Sequence, residues 1–217
     1  MKRWIIIGSA LIGFAALLAV IFRGIGVGYE TPEYRVVDKL GEIEIREYSP
    51  YLVAETVVDA RLESAGNQGF RILAKYIFGA NQPAARIAMT APVSQEKAAG
   101  TNIEMTTPVT QARSGDRYKI QFMMPSQYER DELPVPNDAR VAIREVPSRT
   151  VAVLRYSGTW SKRNYEKHLQ RLTEGLRAKG YEPTGEPMWA RYNPPFTPWF
   201  LRRNEILTEF RVALTQR

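Results

Sequence analysis

The chain carries one histidine, His168, and no cysteine. Without cysteine there is no disulfide, no thiolate nucleophile, no thiolate ligand for iron and no cysteine zinc site. A single histidine also rules out metal motifs built on imidazole pairs. On a helix read from Ser161 to Lys179, His168 falls about 60° from the centre of the apolar face at roughly 100° per residue. That position suits a flanking, partly exposed side chain better than a ligand aimed into a cavity. Ser157 and Ser161 lie nearby in the chain, but no Gly-x-Ser-x-Gly elbow accompanies them. Glu42, Glu44 and Glu47 offer carboxylates for acid–base work. They alternate with Ile43 and Ile45, however, as the solvated face of a strand does. No catalytic centre emerges from these residue types.

Two other patterns bear on binding. Met-Thr-Ala-Pro-Val at 89–93 returns as Met-Thr-Thr-Pro-Val at 105–109. Proline lacks a donor, so matched prolines suggest neighbouring strands that both bend, with Met89 and Met105 as core fillers before metal ligands. The densest aromatic and proline stretch is Tyr192-Asn193-Pro194-Pro195-Phe196-Thr197-Pro198-Trp199-Phe200. Its prolines hold a loop in one shape, able to present Phe196, Trp199 and Phe200 to a flat apolar ligand or to cap the end of a sheet. Arg203 is placed to pair with Glu205 or Glu186 and fix that loop.

The elements that must position these residues come in two similar halves. Strand-like runs at 35–37, 43–46 and 51–58 precede a helix from Ser64 to just before Gly79, with Phe70, Leu73, Ala74 and Ile77 on one face. Gly66 and Gly69 weaken its first turns, so that start of the helix is where it can stand off from a sheet and leave a slot beside Phe70. Strands at 87–93, 103–109 and 118–124 follow. The second half repeats the order: strands at 141–143 and 150–156, the helix to Lys179 stopped by Gly180 and Pro183, then strands at 188–192 and 206–210. This predicts an α+β fold: a distorted antiparallel barrel or sheet of two pseudo-symmetric halves, each with one helix on the outer face.

A further element precedes them. Trp4–Phe22 carries no charge, with Lys2 and Arg3 before it and Arg23 after it. A helix of that length nearly spans a hydrocarbon core of ~30 Å. Residues 1–23 therefore read as an N-terminal transmembrane anchor through residues 4–22, with 24–28 a Gly-rich linker and 29–217 the domain. The flanking charges favour an extracytoplasmic domain, periplasmic in a bacterium. A cleaved signal peptide, leaving a soluble secreted form, is the rival, though Ala16-Leu17-Leu18-Ala19 is spaced wrongly for a cleavage site. The formal net charge is +7, and no concentrated basic stripe with interleaved aromatics marks a nucleic-acid partner.

Tyr29-Glu30-Thr31-Pro32, Ile43-Glu44-Ile45-Arg46-Glu47-Tyr48, the two Met-Thr-x-Pro-Val segments, Phe122-Met123-Met124-Pro125-Ser126 and Tyr192-Asn193-Pro194-Pro195 with Arg202-Arg203-Asn204-Glu205 follow one another over about residues 29–211. In types and order they resemble the SOUL haem-binding family. The resemblance implies a distorted barrel of two halves and non-covalent binding of haem or another porphyrin, in some members without a histidine ligand. It also implies a groove along the first helix, apolar where it meets the macrocycle and basic where it meets the propionates. By position Phe70 takes an apolar place and Lys75 a basic one, while two other basic places fall on the uncharged Asn67 and Thr197. The macrocycle would lie against Phe70, Leu73, Ala74 and Ile77, with Lys75 and Arg71 or Arg86 at the propionates and Phe196 supplied by the aromatic loop. About 200 Å² of apolar burial at roughly 25 cal/mol per Å² contributes ~5 kcal/mol before ordering costs, so no iron bond is required. The alternative is an effector-binding or protein-interaction module with no tetrapyrrole, its partner unspecified by the sequence.

Overall fold

The computed structural model describes residues 29–98 and 117–213. The first half contributes β1 (Tyr34–Leu40), β2 (Ile43–Tyr48), β3 (Tyr51–Asp59), α1 (Leu62–Ile77), β4 (Asn81–Gln82), β5 (Val93–Lys97) and β6 (Arg117–Met123). The second contributes β7 (Val135–Pro136), β8 (Ala142–Val146), β9 (Arg149–Tyr156), α2 (Lys162–Arg177), β10 (Tyr181–Arg191) and β11 (Asn204–Val212). Short β4 and β7 pair with each other, and the other strands make one antiparallel sheet in the order β1-β2-β9-β11-β10-β5-β6-β3-β8.

With β1 set aside, that order is a palindrome. Exchanging β2 with β8, β9 with β3, β11 with β6 and β10 with β5 reproduces it. The pseudo-twofold axis passes between β10 and β5, where Arg191 faces Val93 and Trp189 faces Gln95. Each half also lends a strand to the other: β2 pairs with β9, and β8 pairs with β3.

The sheet keeps two edges, β1 and β8, so the expected barrel is curled but not closed. Tyr48 of β2, Val53 of β3, Met123 of β6 and Leu207 of β11 line one small cavity on the inner face. Arg149 of β9 donates to the Tyr51 hydroxyl of β3 at 3.3 Å across the same space. Strands near opposite edges thus meet through side chains rather than backbone.

Both helices cover the outer face. Leu73, Tyr76 and Ile77 of α1 pack on Ala54, Val58, Ile120 and Phe122. Leu172 and Leu176 of α2 pack on Ile43, Ile45, Leu154, Trp189 and Ile206. Tyr48, Val151, Val153, Met188, Ala190 and Leu207 fill the inner face. Strands covered on both sides need apolar residues at successive positions, which accounts for the unbroken run Val151-Ala152-Val153-Leu154.

The strand expected over 87–93 begins only at Val93. Pro92 has no donor for a ladder, and the backbone N–H just before it is used elsewhere. The Thr90 hydroxyl bonds the Met123 carbonyl at 2.5 Å, and the Ala91 N–H bonds the Glu30 carbonyl at 2.9 Å. Helix α1 starts at Leu62, two residues before Ser64. Helix α2 starts after Ser161, whose hydroxyl accepts the Asn164 N–H at 3.3 Å as an N-cap. The strand expected at 103–109 with Met105, the anchor 1–23 and the linker 24–28 all lie outside the described residues. Among the described residues no helix is long and apolar enough to cross a membrane.

Candidate functional site

A cleft of about 310 Å³ opens on the outer face beside the pseudo-twofold axis. Gly66, Asn67 and Phe70 of α1 form one wall, and Tyr192 to Phe196 form the other. Met89, Ala91 and Val93 lie along it, Trp160 closes one end, and Tyr29 borders it where the described chain begins. Both halves of the domain therefore contribute. Among the described residues lining the cleft, Arg191 is the only charged one.

The glycines of α1 bring the helix down onto the sheet, the reverse of the expected stand-off. A Cβ on Gly69 would sit 2.3 Å from Ile120 Cγ1, and one on Gly66 would sit 2.5 Å from Arg191 Nη1. Close approach of the backbone is what glycine permits here. Phe70, next to Gly69, is then turned to the helix edge. Its ring lies 5.3 Å from that of Phe122 and is 36% exposed, so it forms a wall that ligand and water can both reach.

The opposite wall is held by its own backbone and by two arginines. Arg202 donates to the Thr197 carbonyl at 2.8 Å and the Pro195 carbonyl at 2.7 Å. Asn193 Oδ1 accepts the Arg203 N–H at 2.6 Å. With Pro194, Pro195 and Pro198 fixing φ, the loop is set before any ligand arrives. Phe196 is 85% exposed at the mouth.

Behind the loop, on the inner face, lies Glu205, with no exposed surface. It accepts from Arg46 Nη1 at 2.9 Å, Arg203 Nη2 at 2.8 Å and the Tyr192 hydroxyl at 2.8 Å. Of the two partners expected for Arg203, Glu205 is thus the one it meets. Burial pushes the Glu205 carboxyl up, but the Arg46 and Arg203 guanidiniums outweigh that and leave it below the usual carboxylate range. Tyr192, tied to this network and bordering the cleft, connects the two faces.

On the outer face Arg191 Nη2 donates to Gln95 Oε1 at 3.2 Å, and Gln95 Nε2 donates to the Leu62 carbonyl at 3.0 Å. The Arg191 guanidinium lies 5.0 Å from the Trp160 ring centroid, and that of Arg202 lies 4.2 Å from it. Burial lowers the Arg191 pKa to about 10, with Arg202 nearby acting in the same direction and Tyr156 against it.

Of the residues expected at the site, Phe70 and Phe196 line the cleft. Leu73 and Ile77 do not: at 0% and 1% exposure they are core, because the stripe they share is the one the sheet covers. Ala74 is half-buried, while Arg71, Lys75 and Arg86 are exposed, and none of the four borders the cleft. Lys75 is turned about 140° from Phe70 around the helix, and its charge acts on Asp138 instead. His168 is buried rather than partly exposed. Its ring stacks on Tyr156 at 4.1 Å, and Nδ1 meets the Asn164 carbonyl at 2.7 Å, which assigns the ring proton to Nδ1. Burial lowers its pKa. Sequence reading missed Trp160 and Arg191. The available signal was Arg191 two residues beyond Trp189, a charge on the strand face that otherwise turns apolar residues toward the helices.

These features define an α+β domain of two pseudo-symmetric halves with one apolar cleft shared between them. The chain belongs to the SOUL heme-binding protein family, whose model matches residues 29–209. It is similar to "Heme-binding protein 1" of Xenopus tropicalis, 29% identical over 185 residues that cover 82% of this chain and 91% of that protein. It is also similar to human "Heme-binding protein 2", 28% identical over 194 residues covering 83% and 89%. Among solved structures, the EcmrR C-terminal domain shares the fold at TM-score 0.54 and 12% identity, over 83% of this chain and 99% of that one.

Proposed function

We propose that the cleft binds haem or another tetrapyrrole without a covalent bond and without catalysis, and serves haem buffering or trafficking at a membrane. The observation that carries this reading is the cleft itself. In a chain of this family, an apolar slot lies between the edge of α1 at Phe70 and a pre-set proline loop at Phe196. Its volume of about 310 Å³ is at the lower end for small-molecule sites, as suits a flat ligand entering edge-on with its rim in solvent. Phe70, Trp160 and Phe196 offer aromatic faces for a macrocycle. His168 does not border the cleft, so affinity rests on apolar burial rather than on imidazole ligation of iron.

The membrane part of the proposal rests on Tyr29. That residue borders the cleft and lies seven residues beyond Phe22, so a span at residues 4–22 would hold it within roughly 25 Å of the bilayer. Exposed Trp199 and Phe200, three and four residues beyond Phe196 in the chain, suit an interfacial position. Haem titration of the full chain in detergent, followed by its Soret band, tests the binding. Saturation with a shifted band is the expected result, and the His168→Ala variant should match wild type within about threefold. A spectrum identical to free haem at every ratio would remove the tetrapyrrole and favour the interaction-module alternative. Alkaline washing of membranes tests the tether, since a cleaved protein would appear as a shortened soluble form.

A further inference from the structure

We propose that Arg191 is a carboxylate receptor at the floor of the cleft, so that the ligand must be an apolar body bearing an acid group. This assignment rests on the cleft being the ligand site and adds the chemistry of what enters it. The guanidinium is boxed in by Gly66, Gln95 and Trp160. It has five N–H donors, and the one hydrogen bond it makes within the described structure goes to the neutral Gln95 amide at 3.2 Å. Among the described residues no carboxylate pairs with it. Arg46 and Arg203 make the contrast, since both converge on Glu205.

Nor does its surroundings' charge compensate it. Arg202 repels it, and Arg202 donates to the Thr197 and Pro195 carbonyls. With a pKa brought down to about 10, Arg191 still carries its proton at neutral pH. Arg191 is half-buried, and a partly desolvated cation with open donors and no counterion loses hydration without a partner to replace it, which a bidentate carboxylate supplies. The two basic places that the family resemblance implied at Asn67 and Thr197 hold no charge here, and Lys75 lies away from the cleft. Arg191 supplies the missing cation from a different strand. Gly66 belongs to the same device, because a side chain there would occupy the space of Nη1.

A porphyrin propionate and a fatty-acid head group share this chemistry, and the test separates them. The full chain, in one non-ionic detergent, is titrated with deuteroporphyrin, its dimethyl ester and 9,10-dibromostearate, each followed by tryptophan quenching. Wild type should bind the free-acid porphyrin at least about tenfold more tightly than the ester, the scale of one charge-assisted hydrogen bond. Arg191→Gln should erase that preference by weakening the acid alone, and Arg191→Lys should restore part of it. Equal affinity of wild type for acid and ester overturns the assignment without recourse to any variant, and so does Arg191→Gln weakening both alike. If neither porphyrin binds while dibromostearate binds in an Arg191-dependent way, the tetrapyrrole reading falls and the receptor stands. Binding of no acid at all overturns both.

Discussion

Replacing Glu205 with glutamine keeps the shape of the side chain and removes its charge, at a residue with no exposed surface. Oε1 accepts from Arg203 Nε at 3.0 Å and Nη2 at 2.8 Å, and from Arg46 Nη2 at 3.3 Å. Oε2 accepts from Arg46 Nη1 and the Tyr192 hydroxyl. Whichever oxygen becomes an amide, its two hydrogens point at donors. The less damaging orientation puts the amide at Oε2, where the Tyr192 hydroxyl can turn and accept, but Arg46 Nη1 then meets an amide N–H and keeps only the Tyr48 hydroxyl, at 3.1 Å, as acceptor. Breaking a buried pair from one side costs about 3–5 kcal/mol. Arg46 keeps Glu44, at 2.7 Å and half-buried, so the expected loss lies near the lower end, about 3 kcal/mol. Urea unfolding followed by far-ultraviolet circular dichroism measures it. Since the folded carboxyl titrates below its unfolded value of roughly 4.3, its contribution is complete above that pH and is lost as pH falls through the lower folded pKa. The gap between wild type and Glu205→Gln should therefore narrow on acidification below pH ~4. A loss under about 1 kcal/mol at pH 7, or a gap that stays constant down to pH ~3, would refute the account.

Gly69→Ala should destabilise by about 1–2 kcal/mol in thermal or urea unfolding, because overpacking against the fully buried Ile120 exceeds the roughly 1 kcal/mol gained in helix propensity. Gly66→Ala should stay within about 0.5 kcal/mol of wild type, since Arg191 and Gln95 can swing away, yet its acid-porphyrin binding should weaken in the same titration. Phe70→Asp should leave circular dichroism unchanged, because the ring is already partly exposed, and should abolish porphyrin binding. His168→Ala should remove a pH dependence. A histidine whose folded pKa is lowered costs stability as pH drops below its unfolded value of roughly 6.5, so wild type but not the variant should lose that increment between pH 7 and 5.

Most element positions were legible in the sequence because both helices carry a 3.6-residue stripe and the longer strands β-rich runs, but β5, Val-Ser-Gln-Glu-Lys, carries none and was expected too early in the chain. Strand order was not. The pairing of Ile45 with Ala152 joins residues from different halves, and nothing local to either strand specifies its partner. Phe70 and Phe196, expected from aromatic type and position, border the cleft. Leu73 and Ile77 lie in the core and not along the cleft, because one apolar stripe serves equally as core or groove until the sheet is in place. His168 is buried because Tyr156, on another element, stacks over it, a cover that helix periodicity alone does not contain. Arg191 was missed for the same reason: its isolation from acids is a property of three elements meeting.

The exchange of β2 and β8 between halves bears on how the chain can reach this state at all. Neither repeat owns a complete sheet, so neither is an autonomous folding unit, and a fragment ending between β7 and β8 would lack β9, the partner of its own β2. Pairings such as Ile43 with Leu154 raise the mean sequence separation of contacts, which slows folding while making it cooperative. Two sequential hairpins that swap partners also offer a ready route to domain-swapped dimers when two chains fold close together. Tethering many copies to one surface would raise their local concentration and make that exchange a hazard.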